Sequence, residues 1–111
     1  DRDYAGMALD PSEGERVANM LGDYHDSLFL GNHGVIVVGR NVEEAFDDLY
    51  YLERAAQLQV IALSTGRELS LVDDATAALA CRQWLEYPEG SRLHLDAIRG
   101  ALDAMGSDYA H

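Results

Sequence analysis

The sequence predicts an α/β fold built from one β-hairpin and about four helices. Three observations carry that prediction. Two short apolar runs, Leu28-Phe29-Leu30 and Val35-Ile36-Val37-Val38, flank a glycine-containing turn, as a hairpin requires. A long stretch follows in which Ala45, Leu49, Leu52, Ala56, Val60 and Leu63 recur at helical spacing. The remainder carries helix starts, helix stops and apolar residues three or four apart.

Asp10-Pro11-Ser12-Glu13 opens the first helix. Asp10 suits the cap, Pro11 the first helical position and Glu13 the capping-box spacing. Val17, Met20 and Leu21 give this helix an apolar side, and Gly22 stops it. Asp23 to Ser27 form a polar connection. The hairpin strands are apolar on successive residues, the pattern of strands covered on both faces. Between them stands Gly31-Asn32-His33-Gly34, whose glycines let the backbone bend sharply. Solvated small residues are usual in such a turn; this one holds an imidazole. A histidine on a rigid tight turn suits a metal ligand, because both strands position it before any ion arrives. The plainer reading of His33 is a turn residue hydrogen-bonded to backbone.

Gly39-Arg40-Asn41 ends the second strand, and Asn41-Val42-Glu43-Glu44 opens the long helix with another capping box. Phe46, Tyr50 and Ile61 broaden its stripe, which predicts contact with the sheet and with a second element; Gly66 ends it. A further helix is expected from about Asp73 to Glu86, broken by Pro88 and Gly90. A last one is expected from Ser91 to Met105, with Leu95, Ile98, Leu102 and Met105 at helical spacing. Two strands alone make a poor sheet, and three or more are normally needed. The missing strands are expected from a preceding segment or from another chain.

The 111 residues suffice for one domain, and 48% hydrophobic content is ordinary for a globular protein. A net charge of -12 disfavours nucleic acid and anionic membrane surfaces, both of which are polyanions. No apolar run approaches the ~20 residues that span a bilayer. The chain has no lysine, so it supplies no Schiff-base amine. Its only cysteine, Cys81, forms no internal disulfide, which fits a reducing cytoplasm; it reads as a small core residue among alanines. The start at Asp1, without methionine, predicts a trimmed piece of something longer.

The remaining histidines and acids read as structural. His25 precedes the first strand and His33 follows it, which separates them by roughly 17–20 Å. They cannot share an ion within one chain, and His25 reads as a solvated loop residue. His94 and His111 read as surface residues. Tyr50 and Tyr51 read as core and partner-contact aromatics. Glu43-Glu44, Asp47-Asp48 and Asp73-Asp74 read as solvated helix ends whose carboxylates favour the helix dipole.

The run Leu28-Phe29-Leu30-Gly31-Asn32-His33-Gly34-Val35-Ile36-Val37-Val38-Gly39 resembles the class II aldolase/adducin family. The likeness continues through Glu43-Glu44-Ala45-Phe46, Leu49-Tyr50, Leu52-Glu53-Arg54-Ala55 and Gln59. Upstream, Tyr4-Ala5-Gly6 and Glu13-Gly14-Glu15-Arg16-Val17-Ala18 are similar as well. It covers about residues 1–66, and residues 67–111 look like a variable helical tail. The resemblance implies a three-layer α/β/α class II aldolase-like fold, of which residues 1–111 are the C-terminal portion of a single domain. It also implies a divalent metal, typically Zn2+, held by three histidines. Two come from a His-X-His pair in the N-terminal half, and the third is the turn histidine that His33 matches. An acid, also in that half, moves the proton. The metal polarises a carbonyl oxygen while a carbon-carbon bond breaks or forms.

This sequence lacks that N-terminal half, with its His-X-His pair, acid and phosphate-binding loop. A catalytic zinc site needs about three protein ligands, so the chain alone is expected to be inactive. The leading expectation is the C-terminal part of a metal-dependent lyase acting on a small hydroxy-carbonyl or sugar-phosphate substrate. Epimerase and decarboxylase chemistry occur on the same scaffold. The alternative is a non-catalytic adducin-like oligomerisation or binding module. Either way the resemblance implies a homo-oligomer, commonly a tetramer.

Overall fold

The hairpin folds with the first helix in one compact unit, Asp1–Arg40, and the later helices form a second, Asn41–His111. The structure is a computed structural model that describes residues 1–2 and 9–110. Tyr4-Ala5-Gly6 and His111, singled out above, lie outside those residues. The described elements run α1 (Pro11–Leu21), β1 (Ser27–Leu30), β2 (Gly34–Val37), α2 (Val42–Ser64), α3 (Asp74–Leu85) and α4 (Glu89–Ala104).

In the first unit the expected helix ends are found. Asp10 caps α1 by accepting from the Ser12 backbone N–H at 2.8 Å, and Pro11 takes the first helical position. Gly22, at φ 58, ends the helix by donating to the Ala18 carbonyl. The predicted capping-box role of Glu13 is not taken up. Its two carboxylate oxygens instead accept from Arg16 Nε and Nη2, at 2.8 and 2.7 Å, one turn along the helix. β1 and β2 pair antiparallel, with Ser27 opposite Val37, Leu28 opposite Ile36, Phe29 opposite Val35 and Leu30 opposite Gly34. α1 packs against β1, and Leu21 is the one buried apolar side chain among the described residues. The strands are not covered on both faces. Leu28 and Leu30 are half-buried, whereas Phe29, on the opposite face, is 61% exposed. The Asp1 amine donates to the Phe29 carbonyl at 2.8 Å, and the Gly31 N–H donates to the Asp1 carbonyl at 2.7 Å. Those two bonds flank Leu30 and have the pattern of a parallel ladder along the outer edge of β1.

In the second unit Asn41 caps α2 by accepting from the Glu44 backbone N–H at 2.9 Å, and Gly66 follows the helix end at φ 66. Asp73 caps α3 in the same way, through the Thr76 N–H at 2.8 Å. α4 starts earlier than expected, at Glu89, with Gly90 inside its first turn. Pro88, at φ -67, already holds the dihedral a helix start wants, so the pair read as a breaker is an entry. α4 packs on α2, and the buried residues of this unit are Asp47 and Ser91. The face of α2 that meets α4 carries Phe46, Asp47 and Tyr50. Of the expected stripe, Phe46 and Tyr50 meet α4 and Ala45 and Leu52 are half-buried, whereas Leu49 and Leu63 are exposed and Val60 is 67% exposed. α3 buries no residue, and Cys81 on it is exposed, not the core residue its alanine neighbours implied.

Candidate functional site

The turn that carries His33 is built by the backbone of its neighbours. The His33 N–H donates to the Leu30 carbonyl at 3.1 Å, closing a four-residue turn over Gly31 and Asn32. Asn32 sits at φ 58, the left-handed region that asparagine tolerates better than most residues. Gly31 is required for a different reason. A Cβ there would stand 3.0 Å from the Asp1 carbonyl oxygen and 3.4 Å from the Arg2 Cα, so residues 1–2 pass where a side chain would be. The imidazole of His33 is exposed at the tip. His25 lies beyond the other end of β1, so the two histidines are not brought together.

An exposed imidazole on a pinned turn suits zinc and comparable divalent ions as one donor of a set. Among the described residues no three His, Cys, Asp or Glu side chains gather to hold a cation. The described residues therefore fit one ligand position of such a site and not the whole of it.

Behind the hairpin, Arg16 organises the charges of α1. Its Nη2 lies 2.7 Å from a buried Asp1 carboxylate and 2.7 Å from Glu13. The hydrogen bond from Arg16 holds the Glu13 carboxyl below its usual range.

A second constellation, in the Asn41–His111 unit, was not expected. Asp47 is only 3% exposed, although it reads from sequence as part of a solvated helix end. His94, read as a surface residue, is half-buried and sets its Nδ1 2.6 Å from Asp47 Oδ1. Rings enclose this pair. The imidazole centroid is 4.6 Å from Tyr50 in an edge-on contact, 5.6 Å from Phe46 and 5.7 Å from Tyr51. Trp84 of α3 meets Tyr51 edge-on at 4.9 Å, and the Arg54 guanidinium lies 5.2 Å from the Tyr50 centroid. A signal for this cluster does exist in the sequence. His94 falls on the same helical stripe as Ser91, Leu95, Ile98 and Leu102, all at least half-buried.

The family description "Class II Aldolase and Adducin N-terminal domain" matches residues 2–60, and that span contains the whole hairpin and most of α2. The chain belongs to the class II aldolase/adducin family. The matched span takes in α1, the hairpin with its Asn32-His33-Gly34 turn and the helix that follows. A "Putative aldolase class 2 protein" of Caulobacter vibrioides is 44% identical over 66 residues, 60% of this chain and 25% of that protein. Alpha-adducin of Rattus norvegicus is 38% identical over 64 residues, 58% of this chain and 9% of that protein. The meiotically up-regulated gene 14 protein of Schizosaccharomyces pombe is 41% identical over 83 residues, 72% of this chain and 31% of that protein. The chain thus spans a third or less of the length of these relatives. No solved structure matches it. As a family member it has a mixed α/β architecture, the hairpin and four helices described above. No described helix is long and apolar enough to cross a membrane.

Proposed function

We propose that this chain is the C-terminal part of a class II aldolase-type domain, and that its parent is a divalent-metal-dependent lyase. The substrate class is a small hydroxy-carbonyl compound such as a sugar phosphate, and the setting is a reducing cytoplasm. The observation that supports this reading is the exposed His33 imidazole on a turn pinned by Leu30, Gly31 and Asn32. Such a donor is held ready at no further cost in backbone order. A bound ion of this kind supplies Lewis-acid polarisation of a carbonyl oxygen. This chain contributes one imidazole and the rigid hairpin behind it; the other ligands and the proton-transferring acid belong to the remainder of the domain. Residues 1–111 alone are inactive. Metal analysis of the full-length parent tests the reading. Stoichiometric zinc that is lost in His33→Ala, together with aldol cleavage of a hydroxy-carbonyl substrate, is the expected result. Full metal content in His33→Ala would end the proposal.

A second reading is an adducin-like assembly module without chemistry. It draws on the last turns of α2, where Leu58, Val60, Ile61 and Leu63 are all exposed. A helix apolar all round is normally covered, and a second copy of the chain is the cover this reading assigns. A folded, metal-free oligomer of the parent would favour it over the lyase.

A further inference from the structure

We propose that α4 is a releasable strap on α2, and that the Asp47–His94 pair is the lock that makes its docking conditional. Asp47 lies inside α2, five residues past the first helical position, with its side chain 4% exposed. Burying a carboxylate is unfavourable unless a donor meets it. The donor comes from the other helix: His94 Nδ1, 47 positions along the chain and 2.6 Å away. Docking α4 therefore covers Asp47 and supplies its partner in the same event. A docked α4 without a donor at position 94 would leave the carboxylate dry and unpaired. An undocked α4 would return it to water.

The remaining contacts of α4 do not provide such a condition. Leu95, Ile98 and Leu102 form a half-buried apolar stripe, whose contacts set no polar requirement on the partner. Arg92, Asp96 and Arg99 pair along its exposed side, with Asp96 accepting from both arginines at 3.3 and 3.4 Å. The groups that face the imidazole from α2 are the Asp47 carboxylate and the rings of Phe46, Tyr50 and Tyr51, with Arg54 one ring further out. α3 contributes Trp84, through Tyr51. The rings confine the imidazole, so a shift of α4 by one residue, about 1.5 Å, would break the bond to Asp47. The lock also straddles the family boundary. Asp47 lies within the matched residues 2–60, and His94 lies outside them. The strap is thus a part of the tail that closes on the family's long helix.

The test uses the full chain with His94→Leu, Asp47→Leu, the double variant and His94→Gln. Two readouts apply: amide exchange along 89–104, and emission of Trp84, the only tryptophan. Each leucine single strands or removes one partner. In His94→Leu the dry carboxylate should accelerate α4 exchange roughly ten- to a hundredfold and shift Trp84 emission to the red. The double variant, with neither polar group, should regain protection to within a few-fold of the parent. His94→Gln keeps a donor and should stay protected. Unchanged α4 exchange in His94→Leu would overturn the proposal. So would a double variant as unprotected as His94→Leu, or α2 opening together with α4, because a strap lifts without its support.

Discussion

Asn32 bends left-handed at the centre of the hairpin turn, and the chain uses a residue with a side chain there. That choice is testable. Asn32→Ala should weaken the hairpin by about 1 kcal/mol, the ordinary cost of a left-handed alanine, while Asn32→Gly should leave it unchanged or firmer. Amide exchange at Ile36 and Val38, whose N–H groups face β1 and the Asp26 carbonyl before it, measures both. The turn was readable at this scale because glycine and asparagine advertise their dihedrals directly. Asp47 was not readable. An acid near a helix start is nearly always solvated, and nothing within a few residues announces a histidine 47 positions away. His94 was misread for the same reason, since a lone histidine looks alike on a wet face and on a packed one.

At the scale of single elements, the helix ends were the most legible part of the chain. Asp10 and Asn41 cap where they were expected, and Asp73 caps at the point where a helix was expected to begin, because a cap is decided by three or four neighbouring residues. The miss at Gly90 has the same local origin: a glycine after a proline signals a stop, yet the proline dihedral here starts a helix. Capping carries a pH dependence. The hydroxyl and backbone N–H of Ser12 hold the Asp10 carboxyl below its ordinary 3.8, and the Thr76 backbone N–H and hydroxyl do so for Asp73. A carboxylate whose folded value is depressed stabilises above its unfolded value and loses that contribution as pH falls through the folded one. Helix signal in circular dichroism should therefore decline as pH drops below 3.8, and Asp10→Asn with Asp73→Asn should flatten that decline. The opposite direction is available at Gly100, in the middle of α4. A Cβ there meets nothing within 4 Å, so Gly100→Ala should stabilise α4 by about 0.5–1 kcal/mol, read from the thermal midpoint.

On the scale of the whole chain, burial is sparse. One apolar side chain is buried among the described residues, while Phe29, Leu58, Val60 and Ile61 face outward. The sequence anticipated this in outline, since two apolar strands without partners demand cover. Phe46 and Tyr50 of the expected α2 stripe do meet α4, but its later residues Val60, Ile61 and Leu63 stay exposed, because hydrophobicity marks a face as needing contact without saying what arrives there. The exposed end of α2 is expected to drive self-association. Light scattering should find the parent chain larger than a monomer, and Val60→Glu with Ile61→Glu should reduce it to one. A stable monomer of the unsubstituted chain would contradict the expectation. Cys81 is exposed on α3 and is the only thiol in the chain. A nitroxide or fluorophore would attach there and nowhere else, with no engineered site. α3 carries Trp84 one turn away, so label and indole form a built-in distance gauge along a single helix. Any event that melts α3 would be visible in native material, in dilute solution, as a change in quenching.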